Sequence, residues 1–280
     1  MPCALTIGGS DSGGGAGVQA DLKTFAACDV HGASVLTCIT AQNPRQVRGV
    51  EAVSADMVRR QLEAVFGALK PAAVKTGMLY NSAVIGAVAD WWQVRGRPPL
   101  VVDPVMVATS GAPLLKPAAL RLLRTHLLPR ATLITPNLAE VETLLGWRPT
   151  DPEAMRTAAR QCQEAFGCAV LVKGGHLPRC SEAIDLLYDG RQEWLFRARR
   201  LRSLRLHGTG CTYAAAITAG LARGLELPEA VAWAKIYVTG AIAHSRRVAG
   251  HTVLEHFWPG HRAPTRTRRR KRDPMSRAPD

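Results

Sequence analysis

Short apolar runs alternate with stretches in which apolar residues recur at helical spacing, from the first residues to about position 246. The runs that read as strands cover 4–7, 34–40, 73–76, 100–103, 132–135, 169–173 and 183–188. Helical periods lie between or beside them, over 18–27, 55–69, 82–94, 117–123, 138–145 and 152–166, and two longer helices over 209–223 and 228–246 close the pattern. This alternation predicts an α/β fold, a mostly parallel central sheet with helices on both faces. In open sheets of that kind ligands gather at the carboxyl ends of the strands. Gly9, Gln42, Met78, Asp103, Asn137 and Lys173 each fall at or just beyond the end of a predicted strand, so the pattern brings them to one rim.

Two glycine-rich segments fall on that rim. One is the run Gly8-Gly9-Ser10-Asp11-Ser12-Gly13-Gly14-Gly15-Ala16-Gly17, between a predicted strand and a predicted helix. No Gly-Lys-Ser/Thr follows it, so it is not a P-loop, and Val18 stands where a dinucleotide fingerprint wants Gly or Ala. The other is His207-Gly208-Thr209-Gly210-Cys211-Thr212, which opens a small-residue helix. The first turn of a helix carries unpartnered N–H groups and partial positive charge, and glycine lets an anion approach that backbone closely. The segment therefore suits a phosphate beside Cys211; an ordinary loop with an N-cap at Thr209 is the plainer alternative.

Composition narrows the class. The chain has 280 residues, 47% hydrophobic, with no apolar run long enough to span a bilayer and no secretory signal pattern at its start. Seven scattered cysteines without Cys-x-x-Cys or zinc spacing suit reduced thiols in a cytoplasm. The net charge is +14, and residues 261–280 hold eight Lys/Arg against two Asp, a net +6. That stretch lacks the apolar groups to offset ordering and reads as a disordered, solvated extension beyond a domain of residues 1–260. Contact of the basic tail with nucleic acid is the alternative that its charge raises.

Seven segments together resemble the hydroxymethylpyrimidine/phosphomethylpyrimidine kinases of the ribokinase-like superfamily. They are 9–24, Ala41-Gln42-Asn43, Lys75-Thr-Gly-Met78-Leu, Val102-Asp103-Pro-Val105-Met106, Thr135-Pro-Asn137-Leu-Ala-Glu140, Val172-Lys173-Gly-Gly-His176 and His207 to Thr212, in the family's order over about residues 3–258. The resemblance implies a ribokinase-like fold and a homodimer. It implies ATP- and Mg²⁺-dependent phosphorylation of 4-amino-5-hydroxymethyl-2-methylpyrimidine, its monophosphate, or both, in thiamine biosynthesis. A pyridoxal/pyridoxine-type kinase is the nearest alternative. A non-catalytic ligand sensor or RNA-binding protein on the same fold is an alternative of another class.

The resemblance places Gly208, Gly210 and Cys211 at the catalytic centre. Cys211 stands where sugar kinases of the superfamily carry an Asp base. A cysteine at a helix N-terminus can have a lowered pKa, which would make a thiolate base available; simple packing is the alternative. Gly9, Gln42, Met78 and Val105 are carried to the acceptor site. There the Gln42 amide offers a donor beside an acceptor, matching the edge of an aminopyrimidine, while Met78 and Val105 would wall the ring. Lys173, Thr209, Asn137 and Lys235 are carried to ATP and its phosphates, Glu140 and Asp103 to Mg²⁺. Read alone, Asn137 and Glu140 fit a plain helix start, and Lys235 a helix lysine with its head in solvent.

Overall fold

The computed structural model describes residues 1–93, 96–106, 115, 117–178, 180–201 and 206–258. Its main sheet is built from β1 (Cys3–Asp11), β2 (His31–Gln42), β3 (Val47–Ala52), β4 (Ala73–Thr76), β5 (Leu100–Val102), β6 (Leu133–Ile134), β7 (Ala169–Gly174), β8 (Glu182–Tyr188) and β9 (Glu193–Arg199). The spatial order is β3-β2-β1-β4-β5-β6-β7-β8-β9. The six strands from β2 to β7 in that order run parallel, and β3, β8 and β9 are antiparallel to their neighbours. The parallel strands are continuous apolar runs because both faces are covered.

Strand alternation feeds two separate cores. Leu5, Ile7, Val102 and Ile134 point to one face, under α2 (Ala55–Ala68), α3 (Ser82–Trp91), α5 (Leu138–Leu145) and α6 (Pro152–Phe166). Ala4, Val101, Leu133 and Leu171 point to the other, under α1 (Gly17–Ala27), α7 (Thr209–Ala222) and α8 (Leu227–Ala243). α7 is buried on nearly every side, which its Ala-rich sequence permits and which leaves it no amphipathic stripe. Its N-terminus ends at the rim of the sheet.

Four strands have no counterpart in the apolar pattern. β3 and β9 are the outermost strands of the sheet and hold only exposed or half-buried positions, with Arg48, Glu51, Arg197 and Arg199 among their residues. Edge strands protected by charge carry little hydrophobic signal. The expected helix 228–246 stops at Ala243. Residues Arg246–Val248 (β10) and His251–Val253 (β11) instead form an antiparallel hairpin. The helix α4 (Pro117–Leu122) continues as one π turn, Leu123–Leu127, and one 3₁₀ turn, Leu128–Arg130. The expected helix 82–94 ends at Trp91, and Val94, like the tail at 261–280, lies outside the described residues. Among the described residues no helix is long and apolar enough to cross a membrane.

Candidate active site

Asp11, the last residue of β1, organises the first glycine loop. Its carboxylate accepts from the backbone N–H groups of Gly13 (2.8 Å), Gly15 (3.0 Å) and Ala16 (2.8 Å). Burial opposes ionisation of this group, but hydrogen bonds from His207, Ala16 and Gly13 outweigh it and hold the carboxyl below its usual range. The loop carries Ser12, whose hydroxyl donates to the Gln42 carbonyl at 2.7 Å and accepts from the Gln42 N–H at 2.8 Å. Gln42 thus sits at the end of β2 with its backbone clamped and its side chain turned to the rim.

The second glycine loop closes on the first. Gly208 has φ +85, and a side chain there would overlap the carbonyl oxygen of Gly15. Gly208 itself is the N-cap of α7 and no side chain caps the helix; Thr209 is the first helical residue, not the cap. Beyond it, a Cβ at Gly210 would lie 3.3 Å from Lys173 Nζ. The missing side chain lets the lysine head approach the first turn of α7.

β6 and β7 bring the remaining charges together. An isolated parallel bridge joins Asn137 to Lys173, with the Lys173 N–H donating to the Pro136 carbonyl at 2.8 Å. Lys173 Nζ donates to Asp103 Oδ1 at 2.7 Å, and Thr135 Oγ1 donates to the same oxygen at 3.0 Å. Burial would raise the Asp103 pKa, yet Lys173 and Lys75 hold it low. Asn137 and Glu140 form a reciprocal capping box: Asn137 Oδ1 accepts from the Glu140 N–H at 3.0 Å, and Glu140 Oε2 from the Asn137 N–H at 2.8 Å. Both readings of this pair therefore meet in one place, since the same two side chains line the cavity. Burial pushes the Glu140 carboxyl up to about 7, against the pull of Lys173.

A cavity of about 180 Å³ joins these groups. Of the expected site residues, Gly9, Gln42, Met78, Val105, Asp103, Asn137, Glu140, Lys173, Gly208, Gly210 and Cys211 line it. Thr209 and Lys235 are not among its lining residues. Lys235 Nζ instead donates to Asp185 Oδ2 of β8 at 2.6 Å, while Asp185 Oδ1 accepts from the Gly174 N–H at 3.0 Å. Lys235 is 7% exposed and paired with Asp185, so a solvated head does not describe it. It braces the backbone beside Lys173. A Cβ at Gly9 would meet Cys38 Sγ at 2.7 Å. The space it leaves is filled by β2.

The structure adds residues that the chain alone did not single out for a role. Lys75 is fully buried on the cavity wall and donates to both oxygens of Asp21, at 2.9 and 2.8 Å, while Thr6 Oγ1 donates to Asp21 Oδ2 at 2.6 Å. Burial alone would depress the Lys75 ammonium; the carboxylates of Asp21 and Asp103 overcome it and keep Lys75 charged. Cys211, for its part, is not a low-pKa thiol. Burial pushes it up to about 11, and the Lys75 charge only partly offsets that.

Hard oxygen donors suited to Mg²⁺ are present as Asp103 and Glu140 beside Lys173. Among the described residues no group of three or more His, Cys, Asp or Glu side chains is arranged to hold a metal. An ion here would take most of its shell from phosphate and water, as Mg²⁺ commonly does.

The fold is that of ribokinase-like small-molecule kinases. The crystal structure of an ADP complex of Bacillus subtilis pyridoxal kinase superimposes with a TM-score of 0.84 at 36% identity, over 92% of this chain and 98% of that one. The phosphomethylpyrimidine kinase of Clostridium difficile 630 superimposes at 0.76 with 41% identity, over 86% of this chain and 100% of that one. In sequence, the hydroxymethylpyrimidine/phosphomethylpyrimidine kinase of Rhizobium meliloti (strain 1021) is 50% identical over 258 residues, 91% of this chain and 96% of that protein. The model of the family described as phosphomethylpyrimidine kinase matches residues 11–255. The chain belongs to that family.

Proposed function

We propose that this protein transfers the γ-phosphoryl group of ATP to the hydroxymethyl oxygen of 4-amino-5-hydroxymethyl-2-methylpyrimidine, and a second one to the phosphate of the product, in thiamine biosynthesis. The observation that carries this is the meeting of the Gln42 amide with the N-terminus of α7 in one cavity. The amide matches the aminopyrimidine edge, and the helix end matches a phosphoryl group.

In the transfer, the bond from the γ-phosphorus to the bridging oxygen of ADP breaks, a bond to the hydroxymethyl oxygen forms, and the hydroxyl proton departs. Charge on the phosphoryl oxygens is met by the N–H groups following Gly208 and by Lys173, whose ammonium reaches the first turn of α7 where Gly210 has no side chain. Cys211 lies on the same wall and is the side chain to receive the hydroxyl proton. A thiol held near 11 is protonated at neutral pH, so it can act as base only if the substrate complex lowers it, with Lys75 as the neighbouring positive charge. Gly9 with Met78 and Val105 would seat the ring. Asn137, Asp103 and Glu140 would hold Mg²⁺ through water; that ion supplies charge neutralisation on the transferring phosphates.

A pyridoxal-type kinase is the second reading, favoured by the high structural similarity to the Bacillus subtilis pyridoxal kinase. The 50% identity to the Rhizobium meliloti protein and the Gln42 amide favour the pyrimidine. The test is product analysis of purified protein with ATP, Mg²⁺ and, separately, the hydroxymethylpyrimidine, its monophosphate and pyridoxal. ADP formed only with pyridoxal would overturn the proposal.

The catalytic unit in this reading is residues 1–260, acting in the cytoplasm as a homodimer, with the tail at 261–280 dispensable. The last described residues support that boundary. Tyr237 OH donates to the His256 carbonyl at 2.8 Å, Thr212 Oγ1 and His256 Nε2 are 3.1 Å apart, and Trp258 Nε1 donates to the Tyr237 carbonyl at 3.2 Å. Residues 256–258 thereby fasten α8 and the first turn of α7. A chain ending at Trp258 is expected to keep its fold and turnover. Loss of turnover in a folded truncated chain would give the tail a role.

A further inference from the structure

Gln42 stands where the regular pairing of β2 breaks down on both sides. On the β1 side the register ends with Asp11 opposite Thr40, and the chain then turns away into the first glycine loop. On the β3 side the register shifts between Ala41, opposite Gly49, and Gln42, opposite Val47. Irregularities of this kind re-aim a side chain and are common beside active sites.

The Ser12 side chain takes up what the strands leave. Its hydroxyl accepts from the Gln42 N–H at 2.8 Å and donates to the Gln42 carbonyl at 2.7 Å. These roles cannot be exchanged, because a backbone N–H only donates, a carbonyl only accepts and the hydroxyl has one proton. One side chain thus holds both main-chain groups of the residue whose amide enters the cavity, where Gln42 Nε2 lies 2.7 Å from His207 Nε2.

Ser12 is itself placed by the loop around it. Asp11, just before it, accepts from the Gly13 N–H, just after it, through its carboxylate at 2.8 Å and from the Gly14 N–H through its carbonyl at 2.9 Å. Gly13 lies close against β2: a Cβ there would stand 3.2 Å from Asn43 Cα and 3.3 Å from the Gln42 carbonyl oxygen. Ser12 is exposed, so water can satisfy both Gln42 groups when the hydroxyl is removed, and the fold does not depend on it. What water does not supply is a tie to the loop backbone that Asp11 organises.

We infer that Ser12 positions Gln42 for the acceptor ring through the backbone alone, and that the first glycine loop thereby serves acceptor recognition. This rests on the kinase reading above, in which the Gln42 amide meets the pyrimidine. Ser12 is not among the residues lining the cavity, so its part is positioning and not contact. An amide whose backbone is already fixed gives up less freedom on binding, and its hydrogen bonds to the ring contribute more affinity.

The experiment is calorimetry with 4-amino-5-hydroxymethyl-2-methylpyrimidine on the wild type, Ser12→Ala, Ser12→Thr, Gln42→Ala and the double variant of Ser12→Ala with Gln42→Ala, together with KM for ATP and thermal melts. Ser12→Ala should raise Kd about fivefold, the scale of one net hydrogen bond. KM for ATP and Tm should stay near wild type, and Ser12→Thr, which keeps the hydroxyl, should bind nearly as wild type does. In the Gln42→Ala background the Ser12 substitution should have no further effect, because it acts through Gln42. An unchanged Kd in Ser12→Ala would overturn the inference. So would the same fivefold loss in the Gln42→Ala background, or KM for ATP rising in step with Kd. A Ser12→Ala chain that does not fold would overturn it too, by making Ser12 a residue of the fold and not of the site. A wild type that does not bind the pyrimidine is a distinct result: it overturns the kinase reading, and the role of Ser12 falls with it.

Discussion

A side chain at Gly208 would overlap the carbonyl oxygen of Gly15. The two glycine loops, far apart in the sequence, can meet here only because Gly208 carries no Cβ. Their contact closes one wall of the cavity and sets where the N-terminus of α7 points.

Gly208→Ala is therefore expected to strain a backbone at φ +85 and to push the loops apart, with a loss of at least about 1–3 kcal/mol in chemical denaturation and little remaining turnover. Gly210→Ala should behave differently. Its Cβ would meet the flexible head of Lys173 at 3.3 Å and Asp103 Oδ2 at 3.8 Å, so the fold should stand while KM for ATP rises. Equal stability losses in the two variants would contradict this division.

Lys75 and Asp21 form a buried pair whose single deletion leaves an uncompensated charge. Lys75→Met should destabilise the protein by about 3–5 kcal/mol. A double variant, Lys75→Met with Asp21→Leu, should recover much of that, because a buried pair is often replaceable by apolar groups of similar size. Denaturant titrations of the three variants give the coupling directly, and simple additivity would show that the two residues do not act as a pair.

Glu140 makes a prediction about pH. Its folded pKa lies near 7, raised from 4.5. Between those values the folded protein binds the proton more tightly than the unfolded chain, so this group's contribution is fully present below about pH 4.5 and is lost as pH rises through 7. Glu140→Gln keeps an acceptor for the Asn137 N–H and removes the titration. The variant's unfolding free energy should fall less steeply than wild type across that window. Parallel curves would mean that Glu140 ionises normally.

Lys235 offers a test of bracing against phosphate binding. Lys235→Met should leave Asp185 buried without its counter-ion and lower stability by about 3–5 kcal/mol. Lys235→Arg should restore part of it. Under conditions where both variants are folded, ADP affinity measured by calorimetry should change far less in Lys235→Met than in Lys173→Met. A comparable drop would return Lys235 to the nucleotide.

The class of fold was legible before any coordinates, because continuous apolar runs alternating with helical periods leave few architectures other than a helix-covered parallel sheet. Most of the rim followed from it: strand ends place Gln42, Asp103, Asn137 and Lys173 without knowledge of their contacts. Cys211 was legible as a position and not as a chemistry. Its place at a helix start suggested a low thiol pKa, but burial, which depends on what packs over it, pushes it to about 11 instead. The ion pair of Lys235 was hidden for a related reason: nothing in a helical segment reveals that Asp185, fifty positions earlier, faces it. β3 escaped notice because a charged edge strand lacks the apolar pattern that marks the interior ones.

By itself, then, the chain determined the inner strands of the sheet, the order of its motifs and the residue types on the rim, since these depend on local periodicity and backbone freedom. Only the tertiary structure decided which side chains pair across the cavity. Lys75 with Asp21, Lys173 with Asp103 and Gln42 with His207 are separated by 54, 70 and 165 positions. Protonation and hydrogen-bond polarity follow from such long-range neighbours and from burial, neither of which has a signature in local sequence.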